Sequence, residues 1–142
     1  METEKQFNFQ IKGIEIVENS IVAPKNRIDN NTVFGFDLQL NQSFNLDREL
    51  VIVTCVINVS DNDTKDKLGH IKASCLYSVE KLEKYIDKEK STTTLPDDVT
   101  VMLNSISIST VRGVMYGMFR GTFLNGAILP VVNPSKPADK KK

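Results

Sequence analysis

The sequence has no tryptophan, one histidine and two cysteines in 142 residues. Each scarcity removes a class of chemistry. Histidine and cysteine metal centres need three or four ligands at close spacing. His70, Cys55 and Cys75 do not supply such a set. A Cys–His nucleophile pair fares no better, because positions 70 and 75 fall on opposite faces of one strand-like run. Both cysteines sit in apolar runs, and "METEKQFNFQ" has no apolar signal core. The expectation is two reduced thiols in a cytoplasmic protein. Neither sign of charge prevails, with 18 basic and 18 acidic residues. A polyanion-binding surface is therefore not expected, nor is nucleic acid as a partner. No apolar run approaches the roughly 18 residues of a membrane span. No glycine-rich loop precedes a helix. Asp97 and Asp98 read as helix-end charges rather than acid/base machinery. No catalytic residue, metal or cofactor is expected.

What is present is alternation. Phe9 and Ile11 alternate with polar residues, the phase slips at Gly13, and Ile14 and Ile16 continue it, as in a strand with a bulge. "VAPKNRIDNN" is a loop. Phe34, Phe36, Leu38 and Leu40 share one face of a second strand. "ELVIVTCVINV" is apolar on both faces and calls for cover on both. "HIKASCLYSV" alternates again after a polar hairpin loop. The order reads as a four-stranded antiparallel meander. Residues 80–98 are weakly patterned. From Val101 to Phe119, Met102, Ile106, Val111, Val114, Met115 and Met118 recur at helical spacing, behind Pro96-Asp97-Asp98, which suits a helix start. "SISIS" at 105–109 alternates locally, but its flanks are helical in period, so the whole reads as helix.

Within "TVRGVMYGMFRGTF", Gly113, Gly117 and Gly121 stand four apart. Each glycine costs a helix about 1 kcal/mol relative to alanine. A bare helix edge lets another surface come close. That surface is either the chain's own sheet or a second subunit's helix.

"FQIKGIEIVENSIVAP", Phe9 to Pro24, resembles the first strand and following loop of the SecB export chaperones. "RGTF" followed by "LPVVNP" resembles the end of that family's long helix and the extended segment after it. The resemblance covers roughly residues 7–134 and implies an α+β fold, a four-stranded antiparallel sheet with one long helix packed on one face. Residues 1–134 would form the single domain and 135–142 a disordered Lys-rich tail. It further implies a homodimer or dimer of dimers that holds unfolded polypeptides or preproteins without ATP, often for delivery to the export ATPase SecA. The family's second helix should follow "PVVNP"; only "SKPADKKK" remains, so that helix is expected to be missing. Of the acidic positions that meet SecA, Glu18 is kept, while Val22 and Ser78 stand at the other two. Relatives that chaperone antitoxins supply the alternative, an adaptor for one specific partner.

A receptor for unfolded chains needs apolar, adaptable surface, and methionine suits this. The candidates for polypeptide binding are Ile21, Val22, Phe34, Phe36, Phe44, Met115 and Phe119. Glu18 is the candidate contact to SecA. Gly113, Gly117 and Gly121, with Cys75 and Tyr77, are the candidates for a subunit interface.

Overall fold

Alternating apolar residues build four long strands: β1 (Phe9–Ile21), β2 (Phe34–Asn45), β3 (Leu50–Asp61) and β4 (Lys67–Val79). A computed structural model describes residues 8–87 and 92–132. The Lys-rich tail expected at 135–142 lies outside the described residues. The sheet is antiparallel throughout, in the order β1-β4-β3-β2. β2, β3 and β4 follow one another as hairpins, and β1 joins the far edge against β4. The β3–β4 turn is organised by Asp61, whose carboxylate accepts the amides of Asp63 (2.9 Å) and Thr64 (3.3 Å). Residues 22–33 then carry the chain from the β4 side to the start of β2, beginning with the Val22 amide donating to the Leu68 carbonyl.

The phase slip near Gly13 is a bulge. Ile11 pairs with Tyr77 and Gly13 with Leu76, so Lys12 is the extra residue. A second shift, between Ile16 and Glu18, lets β1 run on to Ile21, beyond the stretch where its alternation is plain.

The second layer is one helix, α1 (Asp97–Phe119), which begins with Asp97 and Asp98 in its first turn. Its buried face carries Val99, Leu103, Ser107, Val111, Met115 and Phe119 at steps of four, with Ile108 beside them. "SISIS" is helical: Ser107 and Ile108 turn inwards and Ser105 and Ser109 outwards. The helix stops where Arg120 turns extended and Gly121 takes φ +80°. The Thr122 hydroxyl donates to the Phe119 carbonyl at 2.6 Å, which satisfies one terminal acceptor.

α1 lies over β3 and β4. Beneath it Val51, Val53, Cys55, Ile57 and Val59 of β3 meet Ile71, Ala73, Cys75, Tyr77 and Val79 of β4, all essentially inaccessible. The other face of β3 (Leu50, Ile52, Val56) is half-buried, and no described element lies over it. Between Glu80 and Asp98 the chain makes a 3-10 turn (Leu82–Tyr85) and a short hairpin, β5 (Ile86–Asp87) and β6 (Thr92–Thr93). Leu82 and Leu95 anchor this region to the core.

One polar contact sets the helix in register on the sheet. The Tyr77 oxygen lies 2.7 Å from Ser107 Oγ, and its hydroxyl reaches the Leu103 carbonyl at 3.5 Å. Leaving such a buried group unpaired would cost about 1–3 kcal/mol. Cys55 and Cys75 share this layer as free thiols. Burial, and secondarily Cys75, push the Cys55 thiol up to about 12. Burial raises Cys75 too, opposed by hydrogen bonds from Ser107 and Tyr77. Burial pushes Tyr77 up to about 12, with Ser107 opposing.

Two outcomes follow from this packing. A Cβ at Gly69 would lie 2.7 Å from Leu124 Cδ1 and 3.1 Å from Phe119 Cζ, both fully enclosed side chains. Gly69→Ala is expected to lower the unfolding free energy by about 1–3 kcal/mol in urea titration. The native state also keeps protons on Cys55 and Tyr77 at pH values where the unfolded chain releases them. Their contribution is whole below the ordinary thiol value of 9.0 and declines as pH rises towards about 12. Unfolding free energy should fall across that window by up to about 1.4 kcal/mol per pH unit for each group. Cys55→Val should flatten part of the decline, as read by urea titrations at pH 8 and above.

Candidate functional site

The sheet has two edges, and they differ. β1 faces outwards with two bulges and with Lys12, Glu15 and Glu18 along it. Bulges and charges are common protection against pairing with another strand. Its helix-side residues are apolar. Ile11, Ile14 and Ile16 stand in register with Tyr77, Cys75 and Ala73, on the face where α1 sits. α1 does not reach them, and they are 46, 45 and 47% exposed. Phe9, at the start of the row, packs edge-on against the Tyr77 ring at 5.9 Å.

β2 is regular. All twelve residues pair with β3 without a register shift, and Asp37 is its one charged residue. No described strand pairs with its outer side. On the helix side Phe34, Phe36, Leu38, Leu40 and Phe44 are half-buried against the core. Gln42 lies among them, and its buried amide nitrogen has no hydrogen-bond partner among the described residues. The other side is polar and exposed: Asp37, Gln39, Asn41, Ser43, Asn45. At the Phe34 end, Ile28, Thr32, Phe34, Phe123 and Asn125 line a hollow of about 390 Å³. β2 is thus a regular edge without bulges, with aromatic side chains beside it and a recess at one end.

The structure sorts the residues singled out in the sequence. Phe34, Phe36 and Phe44 lie together along β2, with Phe34 in the recess. Ile21 and Val22 are exposed, but they sit at the end of β1 across the sheet. Met115 and Phe119 are not surface residues: they belong to the step-of-four face of α1 that packs on the sheet, and are 0 and 2% exposed. The exposed large apolar residues of α1 are Met102 and Tyr116, and the Arg120 guanidinium sits 5.9 Å from the Tyr116 ring. Cys75 and Tyr77 are likewise enclosed under α1 and are not available to a second subunit in this state.

The glycine row divides. Gly121 lies past the helix end, and its positive φ makes it part of the helix stop. Gly113 and Gly117 are inside α1 and exposed, and a Cβ at either would meet nothing within 4 Å. The chain's own sheet therefore does not fill that edge. Glu18 has a partner that sequence spacing did not reveal. Its carboxylate lies 2.9 Å from Nε2 of His70, whose Nδ1 lies 2.7 Å from Asn58 Oδ1. The three join β1, β4 and β3 across the open face. Among the described residues no group of three or more His, Cys, Asp or Glu side chains could hold a metal ion. No described helix is long and apolar enough to cross a membrane.

No protein-family model matches the sequence, and no curated protein matches it. Solved structures do. The SecB-like chaperone Rv1957 of Mycobacterium tuberculosis, solved in complex with a ChAD peptide from the Rv1956 HigA1 antitoxin, superposes with a TM-score of 0.55. The match covers 87% of this chain and 84% of that one, at 8% identity. At that identity the likeness is one of architecture, and the four-stranded antiparallel sheet with one long helix is a SecB-like fold.

Proposed function

We propose that this protein is a chaperone that binds extended, non-native polypeptide without ATP, by strand addition along β2. The observation that carries the reading is the contrast between the two edges: β1 is bulged and charged, whereas β2 is regular, nearly uncharged and lined by half-buried phenylalanines. A client strand laid beside β2 would be held by main-chain hydrogen bonds, which every polypeptide can make. Alternate client side chains would meet Phe36, Leu38 and Phe44, and the recess at Phe34 would accept a large one. The neighbouring fold's complex with an antitoxin peptide supports polypeptide as the ligand class. It also favours a second reading, in which one specific partner replaces a broad range of clients. Delivery to SecA has little behind it, since Glu18 is engaged by His70 and Val22 and Ser78 carry no charge.

The same proposal gives the remaining bare surfaces to assembly. The Ile11–Ile14–Ile16 row and the Gly113–Gly117 edge suit a second copy of this chain, as a homodimer or dimer of dimers.

A labelled, permanently unfolded protein is expected to bind with micromolar or tighter Kd, and its native form not to bind. Capture of one folded partner at fixed stoichiometry, with no affinity for unfolded protein, would replace the general chaperone with the adaptor. Gln39→Lys/Asn41→Lys places two charges on the exposed side of β2 and is expected to weaken binding by about tenfold or more, with circular dichroism unchanged. Gly117→Leu removes a helix glycine from open space, so the single chain should gain up to about 1 kcal/mol of stability. Light scattering at micromolar concentration should nevertheless show smaller particles than wild type. A Gly117→Leu protein that stays fully assembled would move the interface elsewhere.

A further inference from the structure

The segment after α1 is packed as a bound peptide would be. Beyond the turn at 120–126 the chain runs without helix or strand to residue 132. Ala127 and Leu129 are buried, while Ile128, Pro130 and Val131 are exposed. That is the alternation of a chain laid flat with one side down. Arg112 of α1 grips it from beside the helix. Its Nε donates to the Leu129 carbonyl at 2.8 Å and an Nη donates to the Pro130 carbonyl at 3.1 Å. Among the described residues no backbone–backbone hydrogen bond ties residues 128–132 to the sheet or the helix.

The grip is therefore general in its chemistry. Its polar part reads two main-chain carbonyls, which any polypeptide offers. Its apolar part reads two side chains spaced two apart, the smaller first. Nothing in the contact requires this particular sequence beyond that spacing. A guanidinium with several fixed donors is well suited to hold adjacent carbonyls in this way.

We infer that the groove that buries Ala127 and Leu129 beside Arg112 is a second polypeptide-binding subsite, filled in this state by the protein's own chain. This rests on the polypeptide-binding reading of the fold and deepens it. The occupant it takes when the strap lifts is an extended segment with apolar side chains at alternate positions. The strap is tethered through the turn at 120–126, so it competes at an effective concentration of about the millimolar range. Weak contacts suffice to keep the groove closed, and a client must offer more of them to open it.

The test uses the full chain and a fluorescein-labelled peptide of its own residues 125–132. Leu129→Asp removes the strap's main anchor and leaves Arg112 in place. This chain is expected to bind the peptide at least about tenfold more tightly than wild type, as read by anisotropy. Adding Arg112→Met should abolish the gain. Equal affinity for wild type and a folded Leu129→Asp chain would overturn the inference. So would a gain that survives Arg112→Met. If Leu129→Asp does not fold, an otherwise wild-type chain with Ala127→Cys carries the test. Position 127 is enclosed, so with millimolar peptide its thiol should react faster with a maleimide as free peptide displaces the strap, while Cys55 and Cys75 stay buried. An unchanged rate would overturn the inference. Gln39→Lys/Asn41→Lys separates the two sites, since it should weaken unfolded-protein binding at β2 and leave peptide binding to the Leu129→Asp groove intact.

Discussion

One helix cannot roof four strands, and most of this structure follows from that. An α-helix with its side chains is about 10–12 Å across, and neighbouring strands lie about 4.8 Å apart. A single helix therefore covers roughly two strands. α1 covers β3 and β4, the two central ones. Their helix-side residues are the fully enclosed part of the core, and the Tyr77–Ser107 contact holds the helix over them. The strands on either side are left to other means of cover. On the β2 side the turn after α1 brings Phe123 to the Phe34 end of the strand. On the β1 side nothing described plays that part, and a row of isoleucines stays almost half exposed.

The two margins are therefore unequal in kind as well as in cover. β1 presents apolar side chains beside a protected backbone edge. β2 presents a regular backbone edge beside partly sheltered aromatic side chains. A surface of the first sort favours packing against another folded surface, because side-chain area is what it offers. A surface of the second sort favours strand addition, because free peptide groups are what it offers. An ATP-independent binder of unfolded chains gains from keeping these separate, since assembly then does not consume the client edge. Arg112 adds a third element, a side-chain clamp on main-chain carbonyls that the protein's own chain occupies.

Elements whose signal is local could be read from the sequence. Alternation marked β2 and β4, an apolar run marked β3, and the phase slip near Gly13 marked the first bulge of β1. Helical period on both flanks placed "SISIS" in α1 against its own alternation, and burial of Ser107 shows why: the helix turns that residue towards Tyr77. Relations between elements were harder. Met115, Phe119, Cys75 and Tyr77 are apolar or amphipathic, and composition alone does not say whether such a side chain faces a core or a partner. Their place under α1 depends on which strands the helix covers. The three glycines looked like one row, but Gly121 belongs to the helix stop, a distinction carried by backbone conformation. The Glu18–His70–Asn58 bridge joins positions brought together only by strand order. The Phe34 recess and the Arg112 clamp depend on a turn whose path no periodicity encodes.

The proposed division of labour between the two edges is tested most directly by hydrogen exchange, with and without a saturating, permanently unfolded client. Backbone protection is expected to rise along residues 34–45, on the side of β2 that faces away from β3, while β1 changes little. Protection that rises along residues 9–21 with β2 unaffected would contradict the assignment of β2 as the client edge.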